Sequence, residues 1–144
     1  RDRDNLVDVI YVDNAAKAHI DLLERLFISE TPRGKAYFIG QEAPVNLWLF
    51  LNKMLTSAQQ KTVKKAIPYK IAYGVGVLSE IFYKALKKYK REPKMTAFLA
   101  MQLGKSHYFS HKAAKEDFNY QPLISTEEGL KQLEINCSKS FSAL

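Results

Sequence analysis

Two tyrosines precede a lysine by four residues: Tyr83 with Lys87, and Tyr108 with Lys112. On a helix that spacing sets an ammonium one turn from a phenol, a pairing suited to proton transfer. With eight Tyr and seventeen Lys, a match or two is expected by chance, so spacing alone assigns neither pair a role. His107 and His111 are spaced i, i+4, as two metal ligands would be. Zinc needs a third ligand, usually with carboxylate or thiolate help, and none lies nearby in sequence. Local structure is the simpler reading, and no metal site is expected. Gly74-Val75-Gly76-Val77-Leu78-Ser79 imitates a dinucleotide turn but lacks the last glycine and the preceding strand. Small residues that admit a neighbouring helix explain it better. There is no Gly-x-Ser-x-Gly and no Walker loop, and the scattered carboxylates single out no acid/base pair. The one cysteine, Cys137, excludes an internal disulfide and reads as a bystander.

The elements that would position such groups are mostly helical. Residues 5–20 organise the chain. Val7, Val9 and Tyr11 alternate with Asp8, Ile10 and Val12 at strand period. Asp13 then stands where a helix N-cap belongs. Ala15, Ala18, His19, Leu22, Leu23, Leu26 and Phe27 form one helical face, and Asp21 can pair with Arg25. After a loop at 29–34, residues 35–40 read as a short buried strand. Without a partner in the chain, its ladder groups would go unpaired. A turn at 41–44 leads into an apolar helix at 46–55, whose Trp48 reads as core rather than pocket wall. Residues 56–65 are polar and basic, and Pro68 punctuates them.

A long helix is expected from Tyr69 to about Lys90, with Ile71, Val75, Leu78, Phe82, Ala85 and Tyr89 on one side and Glu80 paired with Lys84. Lys70, Glu80 and Lys84 interrupt it well short of a membrane span. Residues 94–103 form a second apolar helix with Gly104 as a C-cap. Residues 106–109 read as a short extended piece, and Ser110 caps a short helix at 111–117. Ser125 and Glu128 form a capping box that opens a last helix to about Ile135.

The 144 residues suffice for one domain with a modest core. The net charge of +7 is uneven: residues 61–115 hold thirteen Lys/Arg against Glu80 and Glu92. Such a block can face nucleic acid, a membrane surface or an acidic partner, or be a solvated helical face. Nucleic acid is not expected, because no known binding motif appears. No signal peptide is visible, and a chain that opens at Arg1 reads as a fragment or a processed piece.

Several blocks together carry a resemblance. Asn5-Leu6-Val7-Asp8, Val12-Asp13-Asn14 and His19 resemble the strand–helix element after the catalytic segment of extended short-chain dehydrogenases. The similarity is to the 3β-hydroxysteroid dehydrogenase branch, of the sterol-4α-carboxylate 3-dehydrogenase type. Gly34, Tyr37 and Ile39 match that family's last main-sheet strand. Phe109-Ser110, Lys112-Ala113, Asn119-Tyr120, Pro122 and residues 127–130 match its tail in order and spacing. The resemblance covers nearly the whole chain.

The resemblance implies a single substrate-side C-terminal domain over residues 1–144. Its fold would be α+β, mainly helical with a few short strands, with the Rossmann nucleotide-binding half absent. The complete enzyme would use NAD or NADP, passing hydride from a 3β-hydroxyl to the nicotinamide. The cofactor loop and the proton-transfer Tyr and Lys would lie upstream of Asn5. The piece itself would bind no cofactor and be inactive in isolation, and the two Tyr-x-x-x-Lys matches sit in the wrong place for that role. Its partners would be a sterol or 3-oxo/3-hydroxy lipid and the Rossmann half. Asn5 and Tyr11 are the expected substrate contacts, although a loop Asn often only bonds its own backbone. Val7 stands where nucleotide-sugar relatives carry Arg, which argues against a nucleotide-sugar substrate. A cytoplasmic location is expected, with peripheral membrane contact at residues 69–94. The competing reading is a non-enzymatic basic helical module that docks there on anionic membrane or on a protein partner.

Overall fold

The computed structural model describes residues 4–87 and 93–142. It is mostly helical, with two short strands. In chain order these are β1 (Leu6–Val7), α1 (Val12–Ile28), β2 (Val45–Asn46), α2 (Leu47–Ser57), α3 (Tyr69–Ala85), α4 (Ala97–Gly104), α5 (Lys112–Phe118) and α6 (Thr126–Ser142). β1 pairs antiparallel with β2, Leu6 opposite Asn46 and Val7 opposite Val45. His107 adds a parallel bridge to Val7.

The alternating pattern at 7–12 overstates the strand. Only Leu6 and Val7 meet a strand partner, and beyond them the chain is held by separate bonds such as Gln41 N–H to Val9 C=O at 2.9 Å and Tyr11 N–H to Gln41 Oε1 at 3.2 Å. Tyr11, not Asp13, is the N-cap of α1; Asp13 falls in the first turn, where its charge suits the helix dipole. Asp21 pairs with Lys17 at 2.5 Å rather than with Arg25. Arg25 Nε instead donates to the carbonyl of Asp117.

α1 is rotated relative to its apolar pattern. It buries Asn14 and Ala18, while Leu23 and Phe27 face solvent, Phe27 at 81% exposure. The cause is the partner surface. α5 presents Ala114, which admits Ala18, and together with Phe118 and Tyr120 they form the core. Leu22, Tyr37 and Ile39 pack around it, and Tyr37 meets Phe118 edge-on at 5.1 Å. Residues 35–40 form no strand. Tyr37 and Ile39 still turn inward as expected, but this stretch finds no ladder partner among the described residues.

α3 corrects its expected face in the same way. Its small residues do the packing. Gly76 is buried, and a Cβ there would meet the Thr96 and Ala97 backbone at 2.5–2.7 Å. α4 thus lies directly on α3, as the small-residue reading of Gly74–Ser79 anticipated for Gly76; Gly74 faces open space. Glu80 does not pair with Lys84: its Oε1 accepts from Ala97 N–H at 2.8 Å and helps cap α4. Ile71, Val75, Leu78 and Phe82 are left exposed. α3 ends at Ala85 with Leu86 as its C-cap and Lys87 at φ 51°, short of the expected Lys90; residues 88–90, Tyr89 among them, lie outside the described residues. No helix among the described residues is long and apolar enough to cross a membrane.

Candidate functional site

Two buried polar groups frame the N-terminal end of α1. Asn14 is 1% exposed and fully bonded. Its Oδ1 accepts from Leu123 and Ile124 N–H, both at 2.9 Å. Its Nδ2 donates to Gln41 Oε1 at 2.6 Å and to Ile124 C=O at 2.7 Å. Gln41 Oε1 also accepts from Tyr11 N–H at 3.2 Å. One amide therefore ties the helix start to two loops distant in sequence.

Asn5 is the opposite case. It is 6% exposed, and neither Nδ2 nor Oδ1 has a partner. Its backbone is pinned, because its C=O accepts from Leu47 N–H at 3.0 Å. The expectation of a self-bonded loop amide does not hold. An unpaired buried amide costs about 1–3 kcal/mol.

Tyr11 lies over the bare backbone of Gly129, where a Cβ would come within 2.7 Å of its ring. It lines a cavity of about 200 Å³ with Val9, Gln41, Phe50, Met54 and Leu133. Asn5 does not line that cavity, so the two expected contacts are not brought to one hollow. Asp8, close to Asn5 in sequence, is approached by the distant His111: His111 Nε2 is 3.4 Å from Asp8 Oδ2, which accepts from Phe109 N–H at 2.7 Å. Gly40 leaves the room that the His111 ring fills. Sequence reasoning assigned no role to Asp8, Asn14 or His111, although Asp8 and Asn14 lie inside the quoted blocks.

A third cluster ties α5 to the 35–39 stretch. Asp117 Oδ2 accepts from Tyr37 Oη at 2.6 Å and Lys35 Nζ at 2.7 Å. Those bonds hold the Asp117 carboxyl below its usual range. Desolvation, then the bond to Asp117 and its charge, push the Tyr37 phenol up to about 12. A phenol raised this far is a poor base near neutrality, so the cluster is a tie rather than a proton shuttle.

The motif matches fall apart in three dimensions. Tyr83 is in α3, but Lys87 lies past its end at φ 51°. Tyr108 is outside any helix and Lys112 begins α5. His107 Nδ1 is 3.1 Å from the Lys105 carbonyl, and no group of three metal-ligating side chains occurs among the described residues. Gly74 and Gly76 lie inside α3, so they do not form a turn that could cradle a dinucleotide pyrophosphate.

Comparison with known proteins gives consistent relatives. The chain is 46% identical over 133 residues to a 2-alkyl-3-oxoalkanoate reductase of Shewanella oneidensis, covering 91% of this chain and 34% of that protein. A second protein of that name, from Stenotrophomonas maltophilia, is 40% identical across 92% of this chain and 40% of its own length. A decarboxylating sterol-4-alpha-carboxylate 3-dehydrogenase of Mus musculus is 31% identical across 90% of this chain and 36% of its own length. The chain thus spans well under half the length of the curated relatives it matches. No family model matches it, and no solved structure matches it significantly.

Proposed function

Because the chain matches the C-terminal part of short-chain dehydrogenase/reductase proteins along 90% of its length, we propose that it forms the substrate side of an NAD(P)-dependent oxidoreductase. The proposed substrate is a 3-oxo or 3-hydroxy lipid, either a 2-alkyl-3-oxo acid or a 4α-carboxysterol. The observation that carries this reading is the match itself, with two substrate names among its relatives that share a carboxylate near a C3 that is reduced in one case and oxidised in the other. Hydride transfer needs a nicotinamide, which a Rossmann-type half would hold together with the proton-transfer Tyr and Lys. The 144-residue chain alone then has no turnover.

Within this reading Asn5 and Tyr11 contact substrate. Asn5 has a free donor and a free acceptor in a buried place, which suits a carbonyl or hydroxyl of the ligand. Tyr11 offers its ring to an apolar part beside Phe50 and Met54. The surface supports a covering partner. A compact chain of this mass exposes about 7,500 Å², whereas this one exposes 10907 Å².

The test is a chimera in which this chain replaces the matching segment of the Shewanella oneidensis reductase. NAD(P)H-dependent reduction of a 2-alkyl-3-oxo acid is expected, with Asn5→Leu lowering kcat/KM at least tenfold at unchanged Tm. A folded chimera that binds NAD(P)H but reduces no 3-oxo lipid would overturn the reading, as would turnover by the 144-residue chain alone.

A second reading rests on α3. Its exposed Ile71, Val75, Leu78 and Phe82 are flanked by exposed Lys70, Lys84 and Lys87, the pattern of a helix lying on an anionic membrane. Co-sedimentation with anionic vesicles that fades with salt supports it; equal binding to neutral vesicles opposes it.

A further inference from the structure

A second apolar cavity lies on the other side of α2 from the one beside Tyr11. Trp48 lines this one and Phe50 the first, and two residues on a helix point about 200° apart. The Trp48 cavity measures about 250 Å³. Its walls are Trp48, Ile67, Tyr69, Met95, Ala100 and Leu103. Gly104 closes one end: a Cβ there would sit 2.5 Å from Tyr69 Cδ2, so only bare backbone lets that ring lie against α4.

The charges at this cavity have one sign. Lys65 lines it. Lys105 Nζ stands 5.5 Å from the centre of the Tyr69 ring. No acidic residue lines it among the described residues. The volume is below the roughly 300–1,000 Å³ of pockets that enclose a drug-sized ligand, so a fused-ring body is too large while a single alkyl chain is not. The apolar stripe of α3 is a separate surface, because Ile71, Val75, Leu78 and Phe82 point away from the Tyr69–Ala72 side.

We propose that this cavity binds one alkyl chain ending in a carboxylate, the chain against Trp48 and Tyr69 and the carboxylate at Lys65 and Lys105. The site does not require the dehydrogenase reading. Its chemistry fits equally an arm of a lipid substrate and a free fatty acid, which share chain and charge.

Trp48 is the only tryptophan, so its fluorescence reports directly on this site. The 144-residue chain is titrated with a bromine-labelled dodecanoate below its micelle concentration. Saturable quenching is expected, relieved by excess dodecanoate and not by dodecyltrimethylammonium. Lys65→Glu with Lys105→Glu should weaken binding at least tenfold at unchanged far-UV circular dichroism. Ala72→Leu, which fills the cavity without touching charge, should do the same. In the chimera, displacement of the probe by a 2-alkyl-3-oxo acid as well as by dodecanoate would assign the site to the substrate arm, and displacement by dodecanoate alone to a free fatty acid. Quenching that never saturates, or that a cationic amphiphile relieves as well, overturns the proposal. So does full affinity in a folded charge-reversed variant; if that variant does not fold, the comparison of anionic with cationic competitor on the parent chain decides.

Discussion

Replacing Asn14 is the sharpest probe of how this fold is held. Asn14→Ala removes four hydrogen bonds at once and strands the Leu123 and Ile124 N–H groups. Each stranded group costs about 1–3 kcal/mol. Leu123 is 68% exposed, so water restores part of its loss, which sets the expected cost near 3 kcal/mol. Against a domain stability of about 5–15 kcal/mol, that is a large fraction. Asn14→Asp separates shape from chemistry. It keeps the size and both accepted bonds but turns an acceptor toward Gln41 Oε1 and the Ile124 carbonyl, where Nδ2 now donates at 2.6 and 2.7 Å. The introduced carboxylate is disfavoured in its charged form, so its pKa rises on folding. The penalty is then full above the folded pKa and relieved as pH falls through it. Urea unfolding at pH 7 and pH 4, read at constant m, measures both effects. A cost under about 1 kcal/mol for Asn14→Ala, or an Asn14→Asp penalty that does not shrink at pH 4, would refute the reasoning.

Three further outcomes follow from geometry and charge. Gly76→Ala forces a Cβ into the Thr96–Ala97 backbone at 2.5–2.7 Å and should cost about 1–3 kcal/mol by overpacking. Gly74→Ala meets nothing within 4 Å and should stabilise by about 0.5–1 kcal/mol; thermal melts of the pair check the contrast. The lowered Asp117 carboxyl contributes stability that is present above its unfolded value near 4 and lost as pH falls through the folded value. The stabilising contribution of the raised Tyr37 phenol is full below about 10 and lost as pH rises toward 12. Ultraviolet titration should find late phenols, Tyr120 among them because burial raises it too, with one fewer in Tyr37→Phe.

Helix existence was legible from apolar period and punctuation, as in α2 after Pro44 and α3 after Pro68. Helix rotation was not. Ala18 and Gly76 win the buried faces because small residues let a neighbouring helix approach, while pattern reading favours the large residues that stay outside. Ser125 accepting from Glu128 N–H matches the expected capping box, a local signal fully contained in four residues. Asn14 lay in a quoted motif, but its partners at Leu123 and Ile124 are more than a hundred residues away, and no local pattern encodes them. Asn5 and Tyr11 are expected together as substrate contacts, yet the fold gives the first a buried, unpaired amide and the second a separate cavity.

The Asn14 tie has a consequence in time. Its partner Ile124 emerges 110 residues later, and ribosomes add roughly 5–20 residues per second. The first helix therefore waits roughly 5–20 s before it can be fastened, with Ala18 and Leu22 lacking their α5 partners meanwhile. Closing so long a loop late makes this a topology whose beginning folds last. A stop or frameshift ahead of Leu123 therefore yields a product whose N-terminal helix lacks that tie.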